Sequence, residues 1–241
     1  MVACEARGGR RSTSDCDVVS LFIDCQFLAQ SVAGKMTRNN GGYDEGYSSS
    51  DCFWGASPGS LVKTFLKEQP DLQGVRVLDL GCGEGKNAAA FARCGASVTA
   101  VDCSAKAIEN GRRAFQDLRI EWLVLDGRAY LSRIELFDVI VLYGLAHCLG
   151  SSEEIFSLIQ TALQRTRNGG FHFLVSFNDG PHDLSAHPNF SPTLLPHSFY
   201  VDQYQGHTIL TESDSIIHET HPHNNIPHFH SLTRLLVKKV S

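Results

Sequence analysis

No C-x-x-C pair occurs among the eight cysteines of this 241-residue chain. The ligand spacing of a zinc finger or ribbon is absent, and the expectation is buried free thiols in a reducing compartment. No apolar run reaches the length of an ordinary transmembrane helix, about 18 residues. Positive charge is not in surplus either: 21 Lys and Arg stand against 26 Asp and Glu, a formal charge of −5. A mildly acidic chain lacks the electrostatic footprint of a general nucleic-acid binder, so small molecules or proteins are the expected partners, with neither nucleic acid nor membrane among them. The first forty residues have no unbroken apolar stretch, since Asp24 and Gln26 interrupt residues 18–33, and Glu5, Asp15 and Asp17 are out of place in a transit peptide. The expectation is a cytoplasmic protein whose residues 1–41 form a poorly ordered extension, with a second methionine at Met36 and the folded domain at 42–241.

Hydrophobic residues make up 42% and charged residues 20%, the balance of a chain that buries a core. From Val75 onward the pattern is regular. Short apolar runs at 75–80, 97–101, 120–125, 137–143 and 171–177 read as strands covered on both faces. Helical segments separate several of them. One is alanine-rich and runs from Gly85 to Cys94. One is capped by Ser104. One opens on a Ser151/Glu154 capping box and is expected to stop at Asn168-Gly169-Gly170. Residues 178–200 carry Pro181, Pro188, Pro192 and Pro196 and read as loop, after which 208–219 and 230–240 alternate like an antiparallel hairpin. Strand and helix alternate at βαβ spacing, so the expected fold is α/β: a doubly wound, mostly parallel seven-stranded sheet with a C-terminal antiparallel hairpin.

The most informative stretch is Leu78-Asp79-Leu80-Gly81-Cys82-Gly83-Glu84-Gly85, which leaves a strand and enters a helix. Glycines there let a ligand approach the backbone closely, and the helix N-terminus behind them offers free N–H groups. Asp102 ends the next strand, 102 − 81 = 21 residues after the first glycine, where an acid can accept hydrogen bonds from ribose hydroxyls. The dinucleotide fingerprint G-x-G-x-x-G is missing, because Lys86 stands three residues after Gly83. Asp79, two residues before the first glycine, would repel a pyrophosphate and suit a ligand bearing an ammonium group. A nicotinamide-dependent oxidoreductase is disfavoured on both counts; S-adenosylmethionine, a phosphate-free nucleoside with ammonium and sulfonium groups, is favoured.

On these residues the segment VLDLGCGEGKNAAAFARCGASVTAVDCS resembles motif I and the acidic strand end of class I S-adenosylmethionine-dependent methyltransferases, over about residues 75–177. The aromatic opening Tyr43-Asp44-Glu45-Gly46-Tyr47, with Phe53-Trp54-Gly55, Lys86-Asn87 and the short C-terminal hairpin, is similar to the tellurite-resistance and thiopurine-methyltransferase-like branch. The resemblance implies that Asp79 and the Gly81–Gly83 backbone hold the methionine end and that Asp102 binds the ribose. It places Asp126-Gly127 at the adenine, has Tyr143 and Leu145 line the pocket, and lets Trp54 or Tyr47 close over it. It also points to His221, in Glu219-Thr220-His221, as the histidine facing the methyl acceptor, with His147 as a second catalytic candidate.

Absences narrow the acceptor. Tyr143-Gly144-Leu145-Ala146-His147 lacks the Asn/Asp-Pro-Pro-aromatic pattern of base-amine methylation, and no Pro-Cys nucleophile for cytosine carbon follows the fourth strand. Tyr143 occupies the place of the first acid of a catechol-type magnesium site. A small thiol, chalcogen oxyanion or O/N nucleophile is the expected acceptor. Five of the 11 histidines lie in 218–230, and the pairs His221/His223 and His228/His230 are spaced to share a strand face. Metal binding or sensing on a methyltransferase-like scaffold is therefore the alternative function. A polar hairpin end with no bound metal remains the plain expectation.

Overall fold

The structure, a computed structural model, describes residues 43–50, 53–187, 190–221 and 225–240. The expected extension at 1–41 and His223 lie outside the described residues, which all belong to the unit Arg38–Ser241. Two short helices, α1 (Asp44–Ser49) and α2 (Ser60–Glu68), precede the sheet. Then come β1 (Arg76–Leu80), α3 (Lys86–Arg93), β2 (Ser97–Asp102), α4 (Ala105–Ala114), β3 (Ile120–Val124), α5 (Gly127–Leu131) and β4 (Phe137–Tyr143). A 3-10 turn at Ala146–Cys148 leads to α6 (Ser152–Arg165), β5 (Thr166–His182), α7 (His197–Asp202), β6 (Thr208–Glu219) and β7 (His228–Lys238). Among the described residues no helix is long and apolar enough to cross a membrane.

The seven strands lie in the order β3-β2-β1-β4-β5-β7-β6. Strands β1 to β5 pair in parallel, and β7 inserts antiparallel between β5 and β6. Alternation along each central strand divides the core in two. Val77, Val139, Val141 and Phe173 meet α2 and α3 through Phe65, Ala88 and Phe91 on one face. Leu78, Leu80, Ile140 and Leu142 meet α5 to α7 through Tyr130, Ile155, Ile159 and Tyr200 on the other. Both faces are covered, as apolar runs without polar alternation require. The order reverses between β1 and β4, and the carboxyl ends of these two strands flank that point, where doubly wound sheets bind ligands.

The expected caps form: Ser104 Oγ accepts from the Ala107 N–H at 3.1 Å and Ser151 Oγ from the Glu154 N–H at 3.3 Å. One boundary differs from expectation. Helix α6 stops at Arg165, before Asn168-Gly169-Gly170, and β5 begins at Thr166, which pairs with Phe137. The cause is distant in sequence. Lys239 Nζ donates to the Leu163 and Thr166 carbonyls at 2.8 and 2.7 Å, satisfying the helix end. The Gly169–Gly170 stretch exchanges backbone hydrogen bonds with Lys239. The proline-rich 178–200 segment is likewise not all loop: β5 runs to His182, and α7 starts directly after Pro196, its N-cap residue.

Phe173 is fully buried and edges against both Phe65 and Phe91, with ring centroids 5.1 and 5.7 Å away. We expect Phe173→Ala to lower unfolding stability by about 3–5 kcal/mol in urea denaturation, the usual cost of a cavity under an aromatic side chain. A loss under about 1 kcal/mol would show that α2 and α3 do not depend on this contact.

Candidate functional site

The turn between β1 and α3 holds its glycines in left-handed backbone, with φ of 65° at Gly81, 53° at Gly83 and 78° at Gly85. Two of them also carry a steric requirement. A Cβ on Gly85 would lie 2.3 Å from the Trp122 ring, and one on Gly83 would lie 3.0 Å from the Tyr47 hydroxyl. Neither position tolerates a side chain on grounds of conformation or space.

Asp102 ends β2 and points at this turn. Its Oδ2 accepts the Gly83 N–H at 2.8 Å and its Oδ1 the Ser104 N–H at 2.8 Å. Each carboxylate oxygen has two lone pairs, so acceptor capacity remains for a ligand's hydroxyls. Burial raises its carboxyl pKa, against those two backbone bonds. Asp79 lies on the opposite side of the turn and is 1% exposed. Its Oδ2 accepts the Ala88 N–H in the first turn of α3 at 3.0 Å. Burial pushes its carboxyl up to about 7, and Asp102 adds to the rise. A ligand cation placed here would restore the ionised form.

Asp126 follows β3 and caps α5, accepting the Arg128 N–H at 2.8 Å. Its two oxygens also grip the Arg128 guanidinium at 3.2 and 3.0 Å. Partial burial opposes ionisation, but the Arg128 bonds prevail and hold the carboxyl below its ordinary value. Tyr143 ends β4 with its ring against Gly59, where a Cβ would fall 2.3 Å from it. Leu145 covers Gly81, and its Cδ1 would lie 2.9 Å from a Cβ there.

An aromatic cover lies over the turn. The Trp54 indole N–H donates to the Tyr47 hydroxyl at 2.9 Å, and both rings flank Gly83. Asn110 in α4, fully buried, fastens this cover: its amide donates to the Tyr47 carbonyl at 2.9 Å, the Ser50 carbonyl at 3.2 Å and Glu84 Oε1 at 3.0 Å. The other Glu84 oxygen accepts the Trp54 backbone N–H at 3.3 Å. Lys86 Nζ donates to the Trp54 carbonyl at 3.3 Å, and Asn87 Oδ1 accepts the Gly59 N–H at 2.9 Å. The turn thus carries its own cover. Glu84 stood within the glycine motif but had no assigned task. Asn110 had no local sign, because its partner Tyr47 is 63 positions away.

The two candidate histidines differ. His221 is 4% exposed and its ring edges Trp54 at 5.0 Å, so it sits beside the cover. His147 is stacked flat on Phe177 at 4.1 Å, and its Nδ1 accepts the Phe177 N–H at 3.1 Å. Burial pushes the His147 pKa down to about 3. A neutral ring so placed ties down β5 at Phe177 and is a poor proton acceptor at neutral pH. His187, in the loop after β5, also stacks on Trp54, at 6.4 Å; nothing in the sequence around it marked it.

Residues 77–170 match the family model described as a methyltransferase domain. A cypemycin N-terminal methyltransferase of a Streptomyces species is 32% identical over 119 residues, covering 49% of this chain and 48% of that protein. The chain spans about half the length of the curated relatives it matches. TehB from Haemophilus influenzae superposes with a TM-score of 0.62 at 22% identity, over 76% of this chain and 62% of that one. Magnesium protoporphyrin IX methyltransferase (ChlM) from Synechocystis, solved with bound SAM, superposes with a TM-score of 0.56 at 16% identity, over 82% and 80%. Both structures share the fold.

A carboxyl whose folded pKa lies above its unfolded value favours folding at low pH. The folded state holds a proton that the unfolded state has released, so stability falls as pH rises from about 4 to about 7. For Asp79 that loss amounts to about 4 kcal/mol at most. We expect Asp79→Asn, which keeps an acceptor for the Ala88 N–H, to flatten this part of the stability–pH curve and to melt higher than the ligand-free parent at pH 8. Equal melting temperatures across pH 4–8 would show that Asp79 does not pay a burial cost.

Proposed function

We propose that residues 77–170, which match a methyltransferase-domain family model, belong to a class I S-adenosylmethionine-dependent methyltransferase, and that the chain transfers the methyl group of S-adenosylmethionine to a small-molecule acceptor, namely a thiol, a chalcogen oxyanion or a small O/N nucleophile. The observation that carries the reading is the pairing of Asp102 and Asp79 about a turn whose three glycines are held in left-handed backbone. The donor set suits the cofactor's chemistry. Two carboxylates stand at the turn, as acceptors that match hydroxyls and an ammonium group rather than phosphates. Asp102 would hold the ribose, Asp79 with the Gly81–Gly83 backbone the methionine end, and Asp126-Gly127 the adenine. Tyr143 and Leu145 would form the wall and Trp54 the cover.

When bound, the sulfonium supplies an already activated methyl group for in-line displacement. The residues of this chain then have three tasks. Asp79 and Asp102 fix the donor's two ends, so that reaction occurs from one orientation. Trp54, Tyr47 and Phe53 exclude water. His221, beside Trp54, is the polar group on the acceptor side and orients the nucleophile. A proton acceptor is needed only for nucleophiles that are still protonated, and His147 does not suit that role. Metal binding in place of methyl transfer, the alternative function, is not favoured by a chain with this domain.

Isothermal titration with S-adenosylmethionine or its demethylated product is expected to show one site. Asp102→Ala is expected to weaken it by about 1.5–3 kcal/mol, the worth of charge-assisted hydrogen bonds, or about ten- to 150-fold. Release of S-adenosylhomocysteine across a panel of thiols, selenite or tellurite and phenols then identifies the acceptor. Absence of binding by either nucleoside would remove the proposal, and unchanged affinity in Asp102→Ala would remove the ribose assignment.

A further inference from the structure

Three imidazoles converge behind the aromatic cover. His187 follows β5, His221 follows β6 and His228 begins β7. Their Nε2 atoms form a nearly equilateral triangle: 3.3 Å from His187 to His221, 3.3 Å from His187 to His228 and 3.1 Å from His221 to His228. All three rings are buried, and His230, fully buried beside them, brings a fourth within reach.

The tautomers can be deduced from the partners. His228 Nδ1 lies 2.7 Å from the Ile226 carbonyl oxygen, which only accepts, so Nδ1 carries a proton and the neutral ring presents the lone pair of Nε2. A relay fixes His230. His182 Nε2 donates to the Asn178 carbonyl at 2.7 Å, leaving His182 Nδ1 to accept from His230 Nδ1 at 3.3 Å. His230 Nε2 is then also a lone pair, buried and without a hydrogen-bond partner among the described residues. Glu219 Oε1 lies 3.9 Å from the Nε2 of both His228 and His230.

Hydrogen bonds can span at most two of the triangle's three edges, because each Nε2 either carries a proton or presents a lone pair. A single cation satisfies all three edges at once. A tetrahedral zinc ion with bonds of about 2.0–2.1 Å holds its nitrogen ligands about 3.3–3.4 Å apart, close to the spacing seen. The Ile226 carbonyl behind His228 and the His182 ring behind His230 are outer partners of the kind that orient ligating imidazoles.

We propose that His187, His221, His228 and His230 form a binding site for an imidazole-preferring divalent transition metal, with zinc the first choice and Glu219 the nearby compensating charge. The site draws on His187, which lies outside the histidine-rich 218–230 segment, and it exists alongside the methyltransferase domain instead of replacing its function. It assigns His221 as a metal ligand, so its contact with the acceptor runs through the metal.

The test uses untagged full-length protein. After chelator dialysis, zinc is titrated against a chromogenic competitor, and cobalt(II) is titrated while its visible d–d bands are recorded. One equivalent of zinc and the intense bands of a tetrahedral nitrogen-bound cobalt ion are expected. His187→Gln, in a loop, and His228→Gln should each lower zinc affinity at least 100-fold while circular dichroism stays native. His207→Gln, remote from the cluster, should bind as the parent does. Zinc uptake below 0.1 equivalent by the parent would overturn the site. So would parental affinity in both ligand variants, or a thiolate-to-cobalt charge-transfer band marking cysteine as the ligand. S-adenosylmethionine titration of the same samples reads the methyltransferase assignment separately, since either result can fail alone.

Discussion

The geometry of the cofactor side depends on one carboxylate. Asp102 accepts the Gly83 N–H with one oxygen and the Ser104 N–H with the other, so the turn after β1 and the entry to α4 are referred to a single side chain. Ser104 in turn caps α4, and α4 carries Asn110. A displacement of Asp102 would therefore move the turn and loosen the element that fastens the cover. Neutral hydrogen bonds would hold the same backbone, but charge-assisted ones are about twice as strong, and their acceptor retains lone pairs for a ligand.

Asp79 works in the opposite sense. Its burial costs stability in the ligand-free chain, and its one described hydrogen bond, to Ala88, offsets only part of that cost. The two acids differ in what they do for the ligand-free chain: Asp102 shapes the turn, while Asp79 carries a burial cost that a cation placed beside it would relieve. Their mutual repulsion, visible as a raised Asp79 carboxyl, would be eased by such a cation and increased by a phosphate.

Much of this was legible in the sequence. The central strands were readable because they are buried on both faces, which leaves unbroken apolar runs such as Phe137–Tyr143. The turn was readable because left-handed backbone admits little but glycine. The H-x-H spacing of His228 and His230 placed both on one face of β7. What escaped was set by distant partners. The end of α6 is decided by Lys239, whose amine and backbone arrive 73 and more positions later. Asn110 acts only through the Tyr47 segment. His187 joins His221 and His228 because β7 inserts between β5 and β6, a strand order that local periodicity does not encode.

The chain holds only two tryptophans, and both touch the glycine turn. Trp54 flanks Gly83, and the Trp122 ring wedges between Gly85 and Gly111, within 2.3 and 2.7 Å of where their missing Cβ atoms would stand. The tryptophan emission of this protein thus comes from two indoles in van der Waals reach of one loop, with no third fluorophore of that kind to dilute the signal. A change in the loop's polarity or packing becomes an optical event, which gives the molecule a built-in gauge of its own occupancy.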